Sequence, residues 1–90
     1  MIVARRFLIG GQVQGVGFRM FAESRAAVEG VHGYAKNLDD GRVEILVEGD
    51  QESVDRIELA LRRGPAGARV ESFDVEVVAP SRRATGFTTR

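Results

Sequence analysis

Apolar and polar positions set the reading of this chain. Phe7, Ile9 and Val13, with Gly11 among them, share one parity, which predicts a strand over 3–13 with one buried face. A glycine-punctuated stretch follows, Gln14-Gly15-Val16-Gly17-Phe18. The period then lengthens to that of a helix over 18–29, with Phe18, Phe21, Ala22 and Ala26 on one face and Gly30 as the stop. Glu29 falls on that same face with Val28 beside it, which predicts fraying or a small shift at this helix end. Residues 31–38 read as a second strand. Asp39-Asp40-Gly41-Arg42 has hairpin chemistry, because Asp-Gly tolerates the positive φ angles of tight turns. Val43, Ile45 and Val47 alternate with Glu44 and Glu48 in a third strand. Asp50 is placed to cap a second helix, whose apolar stripe is Val54, Ile57 and Leu61 and whose end is Gly64-Pro65. Phe73, Val75 and Val77 alternate with Asp74 and Glu76 in a fourth strand. A loop over 80–84 and a short last strand over 86–90, carrying Phe87, complete the chain.

The predicted order is β-α-β-β-α-β with a short C-terminal strand. Two helices on one face of an antiparallel sheet satisfy the layering rule, so the chain reads as one α+β domain over residues 1–90. Internal repeats, linkers and low-complexity segments are missing from the sequence.

Composition narrows the chemistry. Acidic and basic residues balance at 13 each, so no whole-molecule field favours nucleic acid or an anionic membrane. All the basic residues except Lys36 are arginine. The sequence has no cysteine, which removes disulfides, thiolate metal sites and iron–sulfur clusters, and its one histidine cannot build a zinc site without several carboxylates. Neither a signal peptide nor a run of transmembrane length is legible, and the expectation is a cytoplasmic protein.

The stretch Gln14–Phe18 lies between a strand and a helix N-terminus. The first amides of a helix have no acceptor within it, and the helix dipole adds partial positive charge there. Gly15 and Gly17 let successive N–H groups converge into a nest for a phosphate or another oxyanion. Arg19 follows directly, and its guanidinium can grip two phosphate oxygens. The same pattern also describes a tight turn followed by a solvated arginine. It is neither a P-loop nor a dinucleotide fingerprint.

Gly11-Gln12-Val13-Gln14-Gly15-Val16-Gly17-Phe18-Arg19 closely resembles the first signature of the acylphosphatase family, and Gly33-Tyr34-Ala35-Lys36-Asn37 resembles the second. The Asp40-Gly41 hairpin, the Gly64-Pro65 break, Ala68-Arg69-Val70 and Gly86-Phe87 match in order and spacing, so the resemblance spans essentially the whole chain. It implies a ferredoxin-like fold, in agreement with the element order. It implies that backbone amides of Gln14, Gly15, Val16, Gly17, Phe18 and Arg19 cradle a phosphate, that the Arg19 side chain neutralises its charge, and that Asn37 orients the attacking water. It implies no metal and no cofactor, an acyl phosphate as the small-molecule substrate, and a monomer. Gln12, Glu29, Ala35 and Thr89 depart from the residues usual in the family.

Other residues have plainer readings. His32, Tyr34 and Lys36 share a parity opposite to that of Asn37, so they belong to the open face of the sheet. Asp39 and Asp40 suit local backbone bonding in a turn better than metal binding. Arg62-Arg63 and Arg82-Arg83 read as solvated pairs, the former also suited to a helix C-terminus. The five phenylalanines read as core, with Phe18 also anchoring the loop. Two alternatives to an enzyme stand. One is an acylphosphatase-like module that binds phosphate or carbamoyl phosphate without turnover, as in domains fused to larger maturation enzymes; a chain that stops after the domain favours the free enzyme. The other is RNA binding, for which a neutral chain with a single tyrosine and no tryptophan is poorly equipped.

Overall fold

The computed structural model describes residues 1–81 and 86–90. The predicted basic pair Arg82-Arg83, and Ala84 of the predicted loop, lie outside the described residues. The elements run β1 (Ile2–Gln12), α1 (Phe18–Glu29), β2 (His32–Asn37), β3 (Val43–Asp50), α2 (Gln51–Arg63), β4 (Arg69–Val78) and β5 (Phe87–Thr89). The sheet order is β4-β1-β3-β2-β5. The four long strands pair antiparallel, while β5 pairs parallel with β2, so the sheet is mixed at that edge.

One face of the sheet carries the core. Phe7 and Ile9 of β1, Ala35 of β2, and Val43, Ile45 and Val47 of β3 are buried against Phe18, Ala22 and Ala26 of α1 and Val54, Ile57 and Leu61 of α2. These are the residues that the two-residue and helical periods select. Phe21, Phe73 and Phe87 are half-buried at the margin of this cluster.

Four local features differ from the sequence reading. First, α1 is regular through Glu29, and its end does not fray. Glu29 lies toward α2, where its carboxylate accepts from Arg56 Nε at 2.9 and 3.0 Å, so a charged residue on the inner face is balanced across the helix pair. Second, Asp50 stands at the N-cap of α2 without a side-chain capping bond. The first helical amide, of Gln51, donates instead to the Met1 carbonyl at 3.0 Å, and the Asp50 carboxylate faces the Met1 amino group at 3.7 Å. Third, β4 begins at Arg69, well before Phe73. Gly10 pairs with Ser72 and Gly11 with Val70, leaving Glu71 as the extra residue of a bulge. That insertion breaks the parity between Val70 and Phe73 and hides the start of the strand. Fourth, Arg62 is more than a solvated cation, because its guanidinium lies 4.4 Å from the centre of the Phe73 ring.

On the open face the chain after β4 returns across the sheet. Ser81 donates from its N–H and its Oγ to the buried carboxylate of Glu48, at 2.8 and 3.2 Å. Glu48 stands opposite His32 in the β2–β3 ladder.

Candidate active site

The end of β1 leads into the loop through the bulge at Gly10 and Gly11. Gly15 and Gly17 then take left-handed φ angles of 78° and 80°, on either side of Val16. A β-carbon at either glycine would meet no atom within 4 Å, so backbone conformation, not crowding, calls for glycine here, and the loop faces open space. Gly17 is the N-cap of α1, and the first bond into the helix runs from Phe21 N–H to the Gly17 carbonyl at 2.9 Å. The amides before Phe21 therefore have no helical acceptor behind them. The first turn of α1 contains no acidic residue to offset the positive end of its dipole. Phe18, buried beneath the loop, anchors this turn in the core.

Asn37 is the last residue of β2, on the core side with Ala35, half-buried and paired with Val43. Its carboxamide makes no hydrogen bond among the described residues. The hairpin that follows closes with Leu38 N–H donating to the Arg42 carbonyl at 2.8 Å and Gly41 N–H donating to the Leu38 carbonyl at 3.2 Å. Asp40 clasps it, accepting from the Arg42 backbone N–H at 3.0 Å and from Arg42 Nε at 2.8 Å. This arginine holds the Asp40 carboxyl below its ordinary value. Asp40 thus serves the turn, and no metal-binding group of three or more His, Cys, Asp or Glu exists among the described residues.

Two contacts that the sequence left unseen join the two stretches. Gln14 Nε2 donates to the carbonyls of Leu38 at 2.8 Å and Arg42 at 3.0 Å, strapping the loop to the hairpin just past Asn37. Arg19 Nη1 donates to the Arg90 backbone oxygen at 2.6 Å, while Arg90 N–H donates to the Ala35 carbonyl at 2.8 Å, two positions before Asn37. The Arg90 guanidinium lies 4.2 Å from the centre of the Tyr34 ring. The Tyr34 hydroxyl donates to Glu44 at 2.6 Å. Burial first, and then this carboxylate, push the Tyr34 phenol up. Glycine spacing and the Arg19–Asn37 separation point to the motifs, but partners so distant in sequence leave no periodic signal.

Two left-handed glycines at the N-terminus of α1, an arginine in its first turn and, across the Gln14 strap, an asparagine at the end of β2 are the features the structure gathers here. The sequence profile of the acylphosphatase family matches residues 5–89. The chain belongs to the acylphosphatase family. An acylphosphatase of Deinococcus radiodurans is 49% identical over 69 residues, covering 77% of this chain and 79% of that protein. The crystal structure of the Bacillus subtilis acylphosphatase superposes with a TM-score of 0.93 at 33% identity, over 100% of this chain and 99% of the other. Full-length HypF, in its phosphate- and nucleotide-bound form, matches with a TM-score of 0.91 at 27% identity; all of this chain is covered, but only 12% of HypF. The acylphosphatase fold seen here is therefore the ferredoxin-like arrangement expected from the element order, and it recurs inside a much larger chain.

Proposed function

We propose that this chain, a single domain over residues 1–90, hydrolyses acyl phosphates to a carboxylate and inorganic phosphate as a cytoplasmic monomer, without a metal or cofactor. The observation that carries the reading is the pair of left-handed glycines opening α1, strapped by Gln14 to the hairpin that follows Asn37. The family membership supports the reaction class. No described helix is long and apolar enough to cross a membrane.

In this reading the amides of Gln14, Gly15, Val16, Gly17, Phe18 and Arg19 receive the phosphate, and Arg19 offsets its charge. A guanidinium has five N–H donors, so the bond to Arg90 leaves others for phosphate oxygens. The Asn37 carboxamide, which both accepts and donates, orients a water in line with the bond to be broken. The water oxygen bonds to phosphorus, and the phosphorus–oxygen bond to the acyl group breaks. The carboxylate departs with the electron pair, already a stable anion that needs no acid to protonate it. A substrate phosphate oxygen takes the water's proton. The catalysis asked of the protein is positioning and charge stabilisation, which amides and one arginine supply.

The test is hydrolysis of benzoyl phosphate in EDTA. Turnover by the wild type that survives EDTA is expected. Arg19→Ala should lower it by about 10²–10³ or more, since it removes a donor to the developing charge. Asn37→Ala should lower kcat with little change in KM, because orienting the water matters only in the chemical step. Full activity in both variants would remove this site assignment. The likeness to a small part of HypF supports a second reading, a phosphate- or carbamoyl-phosphate-binding module. Phosphate binding by the wild type without turnover would favour it.

A further inference from the structure

The reading of Arg19 as the phosphate-binding side chain leaves open what holds its guanidinium in place. The bond from Nη1 to the Arg90 backbone oxygen makes the end of β5 its support. β5 is a marginal element: Phe87–Thr89 on a sheet edge, paired parallel with Gly33, Tyr34 and Ala35. Short edge segments open locally at low cost, so their end contacts decide their order. The far end is fixed by Arg90 N–H on the Ala35 carbonyl. The near end is fixed at Gly86, whose carbonyl accepts from Gly33 N–H at 3.1 Å and whose N–H donates to His32 Nδ1 at 2.7 Å.

We propose that His32 is a positioning residue for Arg19: neutral His32 pins the start of β5, and its protonation releases β5 and weakens phosphate binding. The proposal rests on the role given to Arg19 above. An acceptor at Nδ1 requires the neutral imidazole with its proton on Nε2. The imidazolium carries a proton on both nitrogens, so it would set an N–H against the Gly86 N–H. Histidine changes charge between about pH 5 and 8, inside the working range of an enzyme. His32 is only half-buried. Among the described residues, Glu48 of β3 stands opposite His32 in the ladder and accepts from Ser81, and Glu23 of α1 lines a hollow that His32, Gly86 and Phe87 also line. β5 itself brings only Phe87, Thr88 and Thr89, none of them charged.

His32→Asn and His32→Ala separate acceptor from titration. Asn Oδ1 replaces the Nδ1 acceptor and does not titrate; alanine removes the acceptor at every pH. Benzoyl phosphate kinetics and competitive inhibition by inorganic phosphate are measured for all three proteins from pH 5 to 8, with KM and kcat separated. Ligand protonation is common to the three, so ratios to His32→Asn isolate the imidazole. In the wild type, KM and the phosphate inhibition constant should rise relative to His32→Asn by about 3- to 10-fold as the pH falls, the scale of one lost hydrogen bond. His32→Ala should show that rise already at pH 8. Protection of the Gly86 amide, its exchange rate by NMR without substrate taken relative to the intrinsic rate at each pH, should fall in acid in the wild type and not in His32→Asn. Parallel profiles of the wild type and His32→Asn would overturn the proposal. So would loss of Gly86 protection with no change in phosphate affinity, since β5 would then open without consequence for Arg19. Absence of turnover in every protein, with phosphate binding still following the pH of His32, would instead count against the hydrolase reading and leave the clamp standing.

Discussion

Gln14 does two jobs with different parts of the same residue. Its backbone opens the loop, and its side chain ties the loop to the β2–β3 hairpin by donating to both the Leu38 and the Arg42 carbonyls. The Arg42 carbonyl also accepts Leu38 N–H, so strap and hairpin closure share one oxygen. The chemistry demands a donor. In Gln14→Glu the side chain keeps its shape, but a carboxylate faces carbonyl oxygens, replacing attraction by repulsion. Gln14→Glu should lower kcat/KM for benzoyl phosphate by at least about tenfold, and Gln14→Ala by less, because water can reach the freed carbonyls. Equal effects of the two variants would mean that the strap acts through packing alone. Gly15, Gly17 and Arg19 stand out in the sequence because loop chemistry is local, and Asn37 stands out only through the family resemblance; the roles proposed for them await the kinetics above. The strap could not, since nothing near Gln14 names an acceptor 24 residues away.

Among the elements, β2 is the one whose position the site depends on, and Gly33 sets how closely it approaches β3. Its φ is 144°, and a β-carbon there would lie 1.8 Å from the Leu46 carbonyl oxygen, a backbone atom that cannot swing aside. Gly33→Ala should therefore force the strands apart, at a cost of about 2–5 kcal/mol. It should also disturb Asn37, four positions on in the same strand. Chemical denaturation gives the first effect, and the kcat of the surviving folded protein gives the second. A variant of wild-type stability would show that β2 can shift without loss. Most elements were legible from period alone: alternation in β3, the stripe of Val54, Ile57 and Leu61 in α2, and the glycine stops. The failures have physical causes. The bulge at Glu71 shifts parity inside β4, so half of the strand drops out of the alternation. Asp50 has a capping residue's identity, but the Met1 carbonyl has taken the first amide of α2. β5 follows from its apolar Phe87, whereas its parallel pairing with β2 is a long-range contact that no local pattern encodes.

At the scale of the molecule, zero net charge hides a specific distribution of ion pairs that join separate elements. Arg5 of β1 reaches Asp55 at 2.7 Å and Glu58 at 3.1 Å on α2. These contacts, hydrogen bonding to Asp55 first, raise its already high value. Glu29 at the end of α1 accepts from Arg56 in the middle of α2, and that bond holds its carboxyl below the ordinary value. Together with the apolar stripes, the Glu29–Arg56 pair holds α1 against α2 and the Arg5 pairs hold α2 against β1, and hence the helix layer against the sheet. Composition shows only the balance of charge; the fold supplies the partners. The pH consequence follows from the direction of the Glu29 shift. A carboxyl whose folded value is depressed stabilises the folded state above its unfolded value, and that contribution is lost as the pH falls through the folded one. Glu29→Gln keeps the shape and removes the charge. Its Tm should lie below that of the wild type at neutral pH, and the gap should shrink steadily on acidification below the ordinary carboxylate range, as the wild-type Glu29 itself becomes neutral. High salt should narrow the neutral-pH gap, since the pair lies at the surface between the helices. Thermal melts of both proteins across pH, at low and high salt, measure it. A gap that stayed constant with pH would assign the loss to packing of the longer helix end and not to the charge of Glu29.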